Sequence, residues 1–112
     1  VTLFEKIIAR QIPAQIVHET DRAIAFRDIH PVAPVHVLVV PKRPLRNTAE
    51  ASPEDEALLG HLMLVAAEVA RAEGIAGSGF RIVVNNGSHA GQTVDHLHLH
   101  VLGGRALGWP PG

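Results

Sequence analysis

The sequence predicts an α+β domain, a mainly antiparallel five-stranded sheet with one long and one short helix. Three observations lead there. Apolar runs of strand length recur at 16–19, 23–26, 35–40, 80–86 and 94–102. A stripe at helical spacing fills 53–73, and within 94–102 the residues 96–101 alternate strictly between histidines and apolar residues. With 112 residues, 46% of them hydrophobic, the chain reads as a single domain over 1–112.

Taken in order, Leu3, Phe4, Ile7 and Ile8 recur at helical spacing, and Pro13 stops that short helix. Ile16–Glu19 and 23–26 read as two strands joined through Thr20, Asp21 and Arg22. Pro31 and Pro34 bracket a rigid loop, because each fixes φ and biases its predecessor toward extended geometry. The run 35–40, interrupted by His36, reads as a buried central strand ending at Pro41. Ser52, Pro53, Glu54 and Asp55 form a helix start: a capping hydroxyl, proline at the first position, then acids that complement the helix dipole. Leu58, Leu62, Val65, Ala66 and Val69 supply the buried stripe, and Gly74 suits the exit. Residues 80–86 make the next strand. The glycine-bearing loop 86–93 then leads into the histidine strand, where backbone N–H groups can approach an anion.

His96, His98 and His100 alternate with Leu97, Leu99 and Val101. In an extended strand one set lines each face, so three imidazoles point one way and an apolar row points the other. Lysine, threonine or valine would fill a merely solvated face with better propensity. A strand rises about 3.3 Å per residue, which puts the outer two histidines roughly 13 Å apart at Cα, awkward for one zinc bound at about 2.0 Å. No cysteine is present, and His18, His30, His36, His61 and His89 show no ligand spacing, so neither a metal nor another cofactor is expected. The remaining reading is catalytic, with a nucleophilic imidazole flanked by groups that hold its tautomer.

Composition excludes other classes. A formal charge of −1 supplies no basic field for polymeric nucleic acid. No apolar run approaches the roughly 20 residues of a membrane span, no signal-peptide pattern opens the chain, and a cytoplasmic location is expected.

His-Leu-His-Leu-His-Val-Leu at 96–102 resembles the histidine-triad signature, and Gly103, Gly104, Arg105 with Trp109, Pro110, Pro111 and Gly112 resemble its nucleotide-binding branch. The likeness runs almost end to end. It implies a homodimer with a continuous larger sheet, and residues 103–112 forming a tail near the partner's active site. It implies hydrolysis of purine nucleoside 5′-phosphoramidates, such as adenosine monophosphate (AMP) joined to an amine, through a nucleotidyl intermediate on His98. His96 and His100 would orient His98 and stabilise phosphoryl oxygens, His36 would lie beneath them, and Thr93, where relatives commonly carry serine, would assist catalysis; the division of proton transfers stays open. Asp28 aligns with the acid that holds the ribose hydroxyls. Leu3, Phe4, Ile7, Phe26 and Ile29 align with the walls around the base, Asn85, Gly91, Gln92 and Val94 with positions near ribose and phosphate, and Trp109 with the leaving-group side. A dinucleoside polyphosphate hydrolase or nucleotidyl transferase is the rival enzyme reading, and a nucleotide-binding interaction protein with vestigial catalysis is the rival from another class.

Overall fold

The computed structural model describes residues 1–112. Five strands form one antiparallel sheet: β1 (Ile16–Glu19), β2 (Ala23–Arg27), β3 (Val35–Pro41), β4 (Phe80–Val83) and β5 (Leu99–Gly103), in the order β1-β2-β3-β5-β4. Because β3 and β4 each run antiparallel to β5, they are parallel to one another. A parallel pair needs a crossover, and α2 (Glu56–Ala72) makes it. The short helix α1 (Leu3–Ile8) begins with a capping box that the sequence reading did not pick out. Glu5 N–H donates to Thr2 Oγ1 at 3.2 Å, and Thr2 N–H donates to Glu5 Oε1 at 3.1 Å.

The two faces of the sheet have different tasks. Ala23, Ala25, Val37, Val39, Leu99 and Val101 meet Leu62, Val65, Ala66 and Val69 of α2 in the larger core. The alternate positions Ile24, Phe26, Leu38 and Val40 meet Phe4 and Ile7 of α1. Period-two alternation thus buries both faces of β2 and β3 and leaves the second face free to continue past α1 into a cavity. No helix is long and apolar enough to cross a membrane.

Three boundaries differ from the sequence reading, each for a local reason. The long helix opens with a 3₁₀ turn at Pro53–Asp55, where Ser52 N–H donates to Asp55 Oδ2 at 2.8 Å, and the α-helix proper starts at Glu56. The strand expected over 80–86 ends at Val83, the last residue paired with β5 through His100; β5 itself begins at Leu99, so 85–86 lie beyond its end. The histidine strand is the larger correction. Only His100 of the triad lies in β5; His96 and His98 precede it. The last pair in the β3–β5 ladder is Val39 with Leu99, and Leu97 N–H turns instead to the Leu45 carbonyl at 2.6 Å. Pro41 at the end of β3 has no N–H with which to extend the ladder.

Candidate active site

Strand register brings His36 and His100 together. His100 lies opposite Leu38, two residues beyond His36, so the two imidazoles share the face that α1 partly covers. His98 sits beside them, its ring 5.0 Å from that of His100 and 5.0 Å from that of Phe4, both edge to face. α1 thereby supplies an aromatic floor for His98, and Phe26 packs edge-on to Phe4 at 5.5 Å.

Hydrogen bonds assign the protons. Val32 N–H donates to His36 Nδ1 at 3.1 Å, which leaves the ring proton of a neutral His36 on Nε2. That Nε2–H faces His100 Nδ1 at 2.8 Å and so donates to it, leaving His100 with its own proton on Nε2. His98 Nδ1 lies 2.7 Å from the His96 carbonyl, an acceptor only, so His98 carries its proton on Nδ1 and keeps the Nε2 lone pair unengaged. His96 directs its Nε2 to the Pro41 carbonyl at 2.8 Å and is 1% exposed. Its ring ties the triad segment to β3, and its carbonyl orients His98.

Burial lowers the pKa of His98 from the usual 6.5, and the bond to the His96 carbonyl and the charge of Asp28 only partly oppose it. His100 is lowered to about 4, first by burial, then by His98 and His36, against the pull of Asp28. Burial also lowers His36, again opposed by Asp28. Neutral imidazoles follow. A free lone pair at His98 beside an N–H donor at His100 suits attack on an electrophile whose oxygens need stabilising.

A cavity of about 420 Å³ opens at these rings. Of the residues expected from sequence, Leu3, Phe4, Ile7, Phe26, Asp28, Ile29, Thr93, Val94, His98 and His100 line it. His36 is buried behind His100. Asn85 and Gly91 lie outside the cavity wall, and so does the His96 ring. The wall also includes Leu38, Ile12, Pro13, Ala14, Arg27 and His30. Leu38 was legible from period two, since it follows His36 by two residues; the 12–14 loop carried no signal beyond a helix stop. The Val32 N–H is a backbone donor, which no residue type announces.

Gln92 also lies outside the cavity wall, and it holds the loop. Its Oε1 accepts from Gly87 N–H at 2.9 Å, while its Nε2 donates to the Arg46 carbonyl at 2.8 Å and the Val94 carbonyl at 3.1 Å. Gly91, at φ 87°, makes the left-handed turn that lets the chain close this ring of contacts. Replacing Gln92 by Glu sets a carboxylate oxygen against two carbonyls. Gln92→Glu is expected to lose about 2 kcal/mol or more at pH 7. Because the fold then disfavours the ionised form, the penalty shrinks as pH falls through the carboxyl range. Urea unfolding at pH 7 and pH 4.5 measures both, and a penalty independent of pH would contradict the assignment.

Asp28, His36 and His100 bring one possible donor atom each to within 4.8 Å of one another. The His36 proton already bridges the two ring nitrogens at 2.8 Å, so a cation would have to displace it. The tail is fastened to the body of the domain by Arg105 Nη2 on the Val32 carbonyl at 3.0 Å and by Arg81 Nη2 on the Gly108 carbonyl at 2.9 Å. Trp109 extends beyond these anchors, 82% exposed.

The HIT domain model matches residues 9–107. The chain belongs to the HIT, or histidine-triad, family. An uncharacterized HIT-like protein of Synechocystis is 61% identical over 111 residues, covering 99% of this chain and 96% of that one. A second, from Synechococcus elongatus, is 57% identical with the same coverage. The crystal structure of a HIT family hydrolase from Legionella pneumophila superposes with a TM-score of 0.98 at 44% identity, covering 100% of both chains. A HIT family hydrolase from Clostridium thermocellum gives 0.93 at 45%, covering 96% and 93%. Agreement of the HIT model and the whole-chain superpositions makes the five-stranded antiparallel sheet with one long helix the family fold.

Proposed function

We propose that this HIT protein hydrolyses nucleoside 5′-phosphoramidates, breaking the phosphorus–nitrogen bond and releasing a nucleoside monophosphate and an amine. The carrying observation is the His98 tautomer: Nδ1–H is held by the His96 carbonyl at 2.7 Å, and the Nε2 lone pair is left for the cavity. Hydrolase relatives that match almost the whole chain support a nucleotide-hydrolysing or nucleotide-transferring activity. The cavity's size is within the roughly 300–1,000 Å³ of small-molecule sites, and it combines an apolar wall with one carboxylate at Asp28. An apolar slot for a purine base and a carboxylate acceptor for ribose hydroxyls match that layout.

His98 Nε2 attacks the α-phosphorus, the bond to nitrogen breaks, and the amine leaves with a proton. His100 Nε2–H donates to a phosphoryl oxygen, and the Thr93 hydroxyl on the cavity wall stands with His100 as the proton source for the amine. Water then attacks the nucleotidyl-His98 and gives its proton back to the group that protonated the amine, freeing the nucleotide and restoring the imidazole. No cofactor enters these steps. Comparative turnover of adenosine phosphoramidates, guanosine phosphoramidates and dinucleoside polyphosphates tests the reading. Phosphoramidates are expected to give the highest kcat/KM; preference for a dinucleoside polyphosphate, or binding without turnover of any of them, would overturn it.

The homodimer belongs to the same proposal. β4 is an edge strand, and Leu64 and Met63 lie exposed on α2, apolar surface that a second copy would cover. The tail from Arg105 to Gly112 then reaches the partner's leaving-group side through Trp109. Removing 105–112 is expected to change the ranking of amine leaving groups by kcat/KM while the monomer fold survives. A truncated protein that stays dimeric and keeps the ranking, by sedimentation and turnover, would end the idea.

A further inference from the structure

We propose that Asp28 couples the sugar to the chemistry: its carboxylate charge draws on the His36 proton that His100 accepts, so filling the ribose position strengthens the His100 N–H aimed at the phosphoryl group. The inference rests on the nucleotide reading above and adds a positioning task to a sugar-binding residue. His36 Nε2 lies 2.8 Å from His100 Nδ1, which accepts its proton, and 3.4 Å from Asp28 Oδ2, whose negative charge acts on that same proton through space. The Val32 N–H on His36 Nδ1 prevents that proton from moving to the other side of the ring.

The carboxylate is placed to respond. Asp28 Oδ1 is held by His30 N–H at 2.8 Å, while Asp28 lines the cavity with its side chain 20% exposed. Arg27, the neighbouring cation, is turned away onto Glu73 through two bonds of 2.5 and 3.1 Å and leaves the Asp28 charge unneutralised. Besides burial, His98, His36 and Asp28 act on His100, and of these Asp28 alone favours its charged form.

When ribose hydroxyls donate to Asp28, its pull on the His36 proton weakens. His36 then donates more fully to His100 Nδ1, and a ring that accepts a stronger bond at one nitrogen is a stronger donor at the other. Coupling of this kind is reciprocal, so a phosphoryl group at His100 tightens the hold on ribose by the same factor. A carboxylate that merely fastened the 28–36 loop to His36 would show no dependence on the sugar.

The test uses ¹⁵N spectra of the histidine rings with adenosine or 2′,3′-dideoxyadenosine, neither of which carries a phosphate. Adenosine is expected to move His100 Nδ1 toward the hydrogen-bonded range, and dideoxyadenosine at saturation to leave it in place. In Asp28→Asn, which keeps the size and removes the charge, both nucleosides are expected to give the same small shift. With phosphoramidate substrates, kcat for ribo over dideoxy sugar is expected at about fivefold or more in the wild type, falling to about one in Asp28→Asn. Equal shifts from both bound nucleosides would overturn the coupling alone. Failure of both nucleosides to bind would overturn the nucleotide reading together with it.

Discussion

Replacing His98 by Ala is expected to remove turnover while nucleotide binding and the fold remain. The cavity walls are supplied by α1, β2 and β3, which do not depend on the His98 ring, so affinity for a nucleoside monophosphate has no reason to fall far. The chemistry has no substitute nucleophile. His100 presents an N–H to the cavity and engages its other nitrogen with His36, and His96 faces the Pro41 carbonyl. The loss is expected at about a thousandfold or more, the scale of removing a group that forms the covalent intermediate. In the wild type the working form is neutral His98, whose pKa lies below 6.5 because burial penalises the cation. Activity is therefore full above pH 6.5 and falls as pH drops through the lowered value. Single-turnover rates across pH 4 to 8 check both points; a His98→Ala protein near wild-type kcat, or an acid limb above 6.5, would contradict them.

The second large effect is on the His36–His100 pair. His100→Ala removes the N–H donor and is expected to slow formation of the nucleotidyl-enzyme about 10²–10³-fold, the usual cost of losing one donor to developing negative charge. His36→Ala leaves that donor in place with no partner on Nδ1, and about 10–100-fold is expected, the range for losing a group that orients a working imidazole. Because the residues form one chain through the 2.8 Å contact, the double variant is expected to be no slower than His100→Ala. His36→Gln, whose amide reaches toward the same nitrogen, is expected to recover part of the rate. Losses that add on a logarithmic scale would show that the two histidines act separately. Thermal unfolding of each variant separates a kinetic loss from a folding one.

Legibility in the sequence followed periodicity. The sheet, the long helix and the two-sided strands were readable because apolar residues at spacing two and 3.6 report which face is buried. The resemblance assigned Leu3, Phe4, Ile7, Phe26, Asp28 and Ile29 to the nucleoside, and one cavity gathers them from two segments 19 residues apart. Gln92 holds its own loop and lies outside the cavity wall, a task that its residue type did not announce. A polar side chain in a glycine-bearing loop beside the histidines looks the same in sequence whether it faces a phosphate or its own backbone.

By itself the sequence determined that three imidazoles would point to the side opposite an apolar row that α2 buries, and that His36 would interrupt a buried central strand. Tertiary structure decided which nitrogen of each ring carries the proton. That choice depends on the Val32 N–H, the His96 carbonyl and the Pro41 carbonyl, backbone groups every residue possesses and whose partners are set only when strands and loops pack. Packing also ended the ladder at Leu99, releasing His96 and His98 from the strand. One histidine thus anchors the segment, one keeps a free lone pair, and one offers an N–H, three tasks from a row that reads in sequence as three equal residues.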